Sequence, residues 1–151
     1  TLSSSSAASD VYKRQVVMLC TYFYDLHKNA AANNLENLVS LLPKIKDSKL
    51  ILLHAGSVRL MEAVEIARSS KNILLDLSFT LCKYEGSSID LDLAYVFQHF
   101  DRRICVGSDH PEFSLRKLRE RFEHFSTGLD RDKKENIGYK NLLDFTGVLR
   151  Q

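Results

Sequence analysis

The stretch KLILLHAGSVRLMEAVEIARSSKNILLDL, residues 49–77, decides the fold. It opens with Lys49–His54 (KLILLH), a run of strand length with four apolar residues at its centre, which predicts a buried strand. The segment Val58–Ser69 follows, and its apolar residues recur at helical spacing, namely Leu60, Met61, Val64 and Ala67. A second apolar run, Asn72–Leu77, completes the unit. A strand, a helix and another strand in this order predict two parallel strands joined by a right-handed crossover.

The same alternation extends in both directions along the chain. Upstream, Val16–Phe23 predicts a strand buried on both faces, and Asn34–Leu42 predicts a helix that ends near Pro43. The downstream elements are a helix at Ile89–Phe100, a strand at Arg103–Gly107, and helices at Phe113–Phe125 and Tyr139–Phe145. Four successive strand–helix units therefore predict an α/β fold with a parallel sheet.

Two closures of such a sheet fit the pattern. A (β/α)8 TIM barrel needs about 250 residues, so four units are close to half of one. An open, doubly wound sheet of the flavodoxin type uses a similar number of units. Neither a G-x-G-x-x-G fingerprint nor a phosphate-binding P-loop motif is present to favour nucleotide binding. The periodicity by itself leaves both closures open.

The composition is that of one ordinary globular domain. Of the 151 residues, 44% are hydrophobic and 26% are charged, which excludes a collagen-like or a disordered chain. No segment approaches the roughly 18 uncharged apolar residues that a membrane span requires. Lys and Arg number 21 against 19 Asp and Glu, a net charge of +2. A chain with so small a net charge is not expected to bind nucleic acid or an anionic membrane.

The three cysteines, Cys20, Cys82 and Cys105, are widely spaced and form no C-x-x-C pair. Their number and spacing favour neither a disulfide framework nor a structural zinc site. Free thiols are typical of a reducing compartment, so we expect a cytoplasmic location.

The segment 1–15, TLSSSSAASDVYKRQ, differs in character from the rest of the chain. It is rich in serine and poor in apolar residues, which is typical of a flexible linker. A second interpretation comes from back-translation: the eleven residues Ser5 to Gln15 can be encoded by a transposon-end sequence used in sequencing-library adapters. We therefore expect residues 1–15 to be adapter-derived or disordered, and residues 16–151 to form the domain.

Polar side chains follow the predicted strands at the positions where chemistry collects in α/β proteins. His54 ends one strand, Ser78 follows the next, and Asp109 lies beyond the fourth. An imidazole there can bind a metal or polarise a carbonyl, and a carboxylate can take a proton from water. Each residue also has a structural interpretation, since His54 can cap its strand and Asp109 can stabilise a turn.

Four short motifs in order resemble the amidohydrolase-related family of metal-dependent TIM barrels, over about residues 16–148. They are His54-Ala55-Gly56, Asp76-Leu77-Ser78, Gly107-Ser108-Asp109-His110-Pro111 and Asn141-Leu142-Leu143. The resemblance implies that the chain is the C-terminal half of a (β/α)8 barrel, strands five to eight. It further implies that His54 binds metal or the polar group of the substrate, and that Asp109 is a metal ligand and general base.

The same resemblance implies a divalent metal ion, often zinc, that lowers the pKa of the attacking water. The family often places a His at the end of the fifth strand, where this chain has Cys20. A cysteine thiolate is a competent zinc ligand, so Cys20 is a third candidate ligand. Cys is also among the most often buried residues, and we favour a buried Cys20. His27, shortly beyond, is expected to be a solvated loop residue.

The run Arg116–Glu123 (RKLRERFE) has alternating charges. An apolar stripe accompanies it, consisting of Leu115, Leu118, Phe122 and Phe125. This combination predicts a solvated outer helix rather than a nucleic-acid handle.

The sequence thus predicts a parent enzyme that activates water to hydrolyse a C–N or C–O bond in a small molecule, or that decarboxylates a small acid. The 151-residue chain itself is expected to be inactive, and its open sheet edges favour self-pairing into a homo-oligomer. The alternative is a non-catalytic α/β interaction domain, in which His54 and Asp109 are structural.

Overall fold

The computed structural model describes residues 15–22, 34–45 and 47–148. The sheet contains β1 (Val16–Cys20), β2 (Lys49–Leu53), β3 (Ile73–Asp76) and β4 (Ile104–Cys105). The helices are α1 (Asn34–Leu41), α2 (Leu60–Ser69), α3 (Thr80–Lys83), α4 (Ile89–His99), α5 (Leu115–Ser126), α6 (Arg131–Glu135) and α7 (Asn141–Thr146). A π-helical turn, Asn136–Lys140, joins α6 to α7. Residues 1–14 of the predicted adapter segment, and His27, lie outside the described residues.

The predicted strands and helices are present, with four corrections. The strand over Val16–Phe23 was predicted to be buried on both faces, but in β1 Val17 is 47% exposed and Met18 61% exposed, because β1 is an edge strand of the described sheet. His54 was predicted to end a strand but follows it, with a φ of 65°. The strand predicted over Arg103–Gly107 is shorter because only Ile104 and Cys105 pair with β3 in the ladder. No helix or strand was predicted between Leu77 and Ile89, yet α3 lies there; its four residues are too few to show a helical period in the sequence.

The four strands are parallel and adjacent in chain order, β1-β2-β3-β4. Met18 pairs with Ile51, and Ile51 pairs with Leu74 in the next strand. A flavodoxin-like sheet reverses its strand order partway, and no such reversal occurs among these four strands. The doubly wound alternative is therefore wrong for the described sheet.

The core lies on one face of the sheet. Leu52 and Leu75, both fully buried, belong to a single cluster with apolar residues from α1, α2, α3, α4 and α5. On the opposite face a smaller cluster contains Ile51, Leu74 and Cys105, and Phe145 of α7 packs against it. The helices α1 to α5 therefore cover one face of a parallel sheet whose strands follow chain order, an arrangement typical of a barrel wall.

Helix α5 has the two faces that its sequence predicts. Exposed ion pairs join Arg116 to Glu120 at 3.2 Å and Arg119 to Glu123 at 2.6 Å. The inner side chains Leu118, Phe122 and Phe125 pack against the core. Leu115, predicted to belong to the apolar stripe, is instead 70% exposed, because it begins the helix directly after the N-cap Ser114.

Arg121 on the same helix is buried, which the charge pattern did not reveal. Its Nε donates to the Leu81 carbonyl at 2.8 Å, and its guanidinium forms an ion pair with Asp90. The guanidinium also stacks over the Phe125 ring, 4.8 Å from its centroid. Arg121 therefore links α5 to α3 and α4 through buried polar contacts.

No helix in the described part of the chain is both long and apolar enough to cross a membrane.

We predict that Arg121→Met lowers the free energy of unfolding by about 2 kcal/mol, since it leaves the Leu81 carbonyl and Asp90 without their charged donor. Urea unfolding measures the change. Arg119→Met, which removes an exposed ion pair on the same helix, is the matched control and should cost at most about 0.5 kcal/mol. Equal losses in the two variants would contradict a structural role for Arg121.

Candidate functional site

The predicted functional residues gather at the carboxyl edge of the sheet. His54 follows β2 directly, Ser78 follows β3 after one residue, and Asp109 lies in the loop after β4. Because the strands are parallel, these three loops emerge at the same edge. The structure therefore places His54 and Asp109 on one edge, as the sequence predicts.

This edge also contains the strained backbone of the described chain. Five non-glycine residues there have a positive φ, and all follow β2, β3 or β4: His54, Ala55, Ser57, Phe79 and Asp109. A non-glycine residue in this region costs about 1–3 kcal/mol, and such residues concentrate at active sites and ligand clamps. The loops after three adjacent strands thus hold their side chains in place at an energetic cost.

Hydrogen bonds from both neighbouring strands hold the loop after β2 in this conformation. On the β1 side, the Thr21 hydroxyl donates to the Leu53 carbonyl at 2.6 Å and accepts from the Gly56 amide at 2.8 Å. On the β3 side, the Thr80 hydroxyl donates to the His54 carbonyl at 2.6 Å. Gly56 has a φ of 75°, and a Cβ there would lie only 3.2 Å from that of Ala63.

A hydrogen-bonded chain runs from His54 through Ser78 to Asp76. His54 Nδ1 lies 3.1 Å from the Ser78 carbonyl oxygen and 3.2 Å from Ser78 Oγ. Ser78 donates twice to Asp76, from Oγ to Oδ2 at 2.5 Å and from its amide to Oδ1 at 3.0 Å. Since a carbonyl only accepts, Nδ1 of His54 carries the hydrogen. Nε2 has no hydrogen bond within the described residues and is available to a ligand.

Asp76 belongs to this site, although the sequence analysis assigned it no chemical role. It is 9% exposed, and burial raises the pKa of its carboxyl group. The Ser78 hydrogen bonds and the charge of His54 oppose that rise in pKa, while the charge of Asp109 adds to it. The signal in the sequence was an acidic residue inside the apolar run NILLDL.

Asp109 is exposed, and its carboxylate has no hydrogen bond within the described residues. Its φ of 56° places it at a sharp turn beyond Gly107. A Cβ on Gly107 would lie 3.2 Å from that of Ser78 and 3.5 Å from Asp76 Oδ1. Glycine therefore allows the loop carrying Asp109 to approach Asp76 and Ser78.

A cluster of aromatic rings centred on Phe79 lies beside the imidazole of His54. The Phe79 ring lies edge-on to it, with centroids 5.6 Å apart. Phe79 also contacts Tyr22 at 5.1 Å and Phe113 at 5.8 Å, so the rings come from the loops after β1, β3 and β4. None of these rings was singled out in the sequence, because no local pattern shows that loops so distant in the chain meet.

The buried position expected for Cys20 is wrong, since Cys20 is exposed. It ends β1, an edge strand of the described sheet, and its Cα pairs with Leu53. Successive side chains alternate between faces, so the Cys20 side chain lies on the face away from the helices.

The residues proposed as zinc ligands do not form a metal site by themselves. Zinc requires at least three protein ligands around one point. Within the described residues, no group of three His, Cys, Asp or Glu side chains could hold a metal ion. His54 offers only Nε2, because Nδ1 is bound to Ser78. The described residues therefore do not fit the zinc that the sequence resemblance implies.

We predict that Asp76→Asn removes a pH-dependent component of stability. A carboxyl group whose pKa is higher in the folded state than in the unfolded state stabilises the fold at low pH. Its contribution is complete below the unfolded pKa of about 3.9 and is lost as pH rises through the folded pKa. Relative to Asp76→Asn, the native chain should lose stability between acidic and neutral pH. Urea unfolding across that pH range measures the difference in free energy of unfolding between the native chain and the variant. A difference that does not change with pH would contradict the raised pKa of Asp76.

We also predict that neutral His54 carries its hydrogen on Nδ1, opposite to the tautomer that free imidazole side chains favour. The ¹⁵N chemical shifts of the two ring nitrogens, measured above neutral pH, distinguish the tautomers. His110, which is exposed in the loop after β4, is the internal control and should show mainly Nε2–H. An Nε2–H pattern for His54 would contradict the bond to Ser78.

The fold resembles that of an uncharacterized TIM-barrel protein from Bordetella bronchiseptica, with a TM-score of 0.71 at 20% sequence identity. The match covers 95% of this chain and 50% of that chain, so this chain spans half the length of the protein it matches. No family model matches the sequence, and no curated protein does. An identity this low shows the fold alone: the chain is an α/β protein whose four-stranded parallel sheet is similar to that of a TIM barrel.

Proposed function

We propose that the chain is the C-terminal half, strands five to eight, of a (β/α)8 barrel enzyme of the amidohydrolase-related type. The parent enzyme activates water and hydrolyses a C–N or C–O bond in a small molecule. Three features support the half-barrel: strands in chain order, the helices α1 to α5 on one face, and a match to half of a TIM-barrel protein.

The observation that carries the enzymatic proposal is the convergence of strain and polar side chains at the carboxyl edge. His54, Phe79 and Asp109 all have positive φ, and each belongs to a loop after a different strand. The Thr21 hydroxyl, which accepts from the Gly56 amide, and the Thr80 hydroxyl, which donates to the His54 carbonyl, keep the first of these loops fixed. A purely structural edge gains nothing from strained backbone, whereas an active site gains precise placement.

In the proposed reaction, Asp109 is the general base. Its carboxylate has no hydrogen-bond partner in the described chain and can take a proton from water as the water oxygen bonds to the carbonyl carbon of the substrate. The C–N or C–O bond then breaks, and the leaving group receives the proton from Asp109. The loop that carries Asp109 approaches Asp76 at Gly107, which supports a position of the base near the buried end of the site.

His54 binds and orients the substrate. Its Nδ1–H is held by Ser78, so Nε2 presents a lone pair that accepts a hydrogen bond from a hydroxyl or N–H of the substrate. Ser78 and Asp76 are positioning residues: they set the tautomer and orientation of the imidazole but do not touch the substrate. The Phe79 ring packs against the imidazole and restricts it further.

No step is assigned to a metal ion, because the described residues do not gather three ligands. Decarboxylation of a small acid uses the same edge of the barrel. Analysis of the products distinguishes the two reactions, since decarboxylation releases carbon dioxide and hydrolysis of a lactone, ester or amide does not.

We predict that Asp109→Asn in the complete barrel lowers kcat by about 10²- to 10⁴-fold, because the general base is lost. The assay follows product formation from a panel of small lactones, esters and amides, in a complete barrel that contains this chain. Glu112→Gln is the matched control, since Glu112 is an exposed acid in the same loop, and it should change kcat less than about twofold.

Equal activities of the Asp109→Asn variant and the native barrel would rule out Asp109 as the base. A complete barrel with no turnover on any of these substrate classes would favour the non-catalytic interaction domain instead.

A further inference from the structure

We propose a second binding site, for a phosphate group, at the amino edge of the sheet opposite His54 and Asp109. A cavity of about 380 Å³ lies there, against α7 and the π-helical turn. Its basic lining residues are Lys49, Lys71, Arg102 and Arg103. This site does not depend on the reaction proposed above.

The parallel sheet brings these four cations together. Lys49 is the first residue of β2, Lys71 precedes β3 by two residues, and Arg102 and Arg103 directly precede β4. The amino ends of parallel neighbours lie side by side, about 4.8 Å apart from strand to strand. Three loops that are distant in the chain therefore contribute positive charge to one cavity.

The cavity concentrates charge that the chain as a whole does not have. The chain has a net charge of +2, yet this one cavity has four basic side chains and one acidic side chain, Asp144. Asp101 directly precedes Arg102 in the chain, and its Oδ2 accepts a hydrogen bond from the lining residue Asn136 at 2.9 Å. The Asp101 carboxylate is bound to the Asn136 amide. The residues that line the cavity therefore keep an excess of positive charge.

Two of the cations are held in place. Arg103 donates to the carbonyl oxygens of Ala67 at 3.0 Å and of Ile73 at 3.1 Å. Lys49 Nζ donates to the Phe145 carbonyl at 2.6 Å and lies 5.3 Å from the centroid of the Phe145 ring. These bonds immobilise two positive charges beside the cavity before any ligand arrives.

The other two cations are available. Lys71 and Arg102 are exposed, and neither has a hydrogen bond or an ion pair with the described residues. Two fixed and two free cations suit a group with several negatively charged oxygens, and Arg and Lys are the usual partners of phosphate. The Phe145 ring and Leu74 add an apolar wall, against which the organic part of a phosphate ester packs.

Two probes test the site in the chain as it stands: inorganic phosphate and phenyl phosphate, each titrated at constant ionic strength. Saturable shifts of the amide resonances of residues around the cavity, such as Leu74 and Asn136, should report binding. Tighter binding of phenyl phosphate supports the site and assigns it to a phosphate ester. Equal affinities support the site and assign it to free phosphate.

The decisive variant is Lys71→Gln with Arg102→Gln, which removes both free cations. We expect phosphate binding to weaken about tenfold or more, since each lost charge-assisted hydrogen bond contributes substantially. Lys44→Gln with Arg116→Gln is the matched control: it removes the same charge from exposed positions away from the cavity and should leave affinity within about twofold. Asp144→Asn should tighten binding, because it removes the acid that faces the cations.

The absence of saturable shifts with both probes would overturn the proposal. Equal weakening in the two double variants would also overturn it, because binding would then follow net charge rather than this cavity. Native-like amide spectra of the variants confirm that each has folded, as expected for substitutions of exposed side chains.

Discussion

Parallel pairing of the strands in chain order is the constraint on which the rest of the structure depends. Each strand must run in the same direction as its predecessor, so the chain returns after every strand through a helix. The buried residues on the helical side of β2 and β3, such as Leu52 and Leu75, gather those helices on one face. The opposite face has only a small apolar cluster around Ile51 and Leu74, as expected for the inner wall of a barrel.

The same constraint places two groups of charged side chains at opposite ends of the strands. All carboxyl ends meet at one edge, where the acids Asp76 and Asp109 accompany His54. All amino ends meet at the other edge, where Lys49 and Arg103 line a basic cavity. Sequence distance has no bearing on this arrangement. Residues separated by dozens of positions become neighbours because they occupy equivalent places relative to successive strands.

The strain at the carboxyl edge is tolerated because the remainder of the fold offsets its cost. Ala55 and Ser57 adopt left-handed backbone while fully buried, which the packing of α2 behind them supports. Thr21 and Thr80 bond the Leu53 and His54 carbonyls and the Gly56 amide of that loop. No buried side-chain polar atom in the described residues lacks a partner. Hydrogen bonds likewise stabilise the buried Asp76. Burial disfavours its carboxylate anion, and Ser78 compensates by donating two hydrogen bonds to it.

The sequence by itself determined the α/β class and the succession of strands and helices, because apolar periodicity is a local property that burial imposes on each segment. It also indicated that His54 and Asp109 share one edge of the sheet, although both lie in loops beyond their strands rather than within them. Only the tertiary structure decided the order of strands, which excludes the doubly wound sheet. It alone revealed the bond from His54 through Ser78 to Asp76, the exposure of Cys20 and the burial of Arg121. These depend on which loops and helices meet across the sheet, and no local pattern encodes contacts between segments so far apart in the chain.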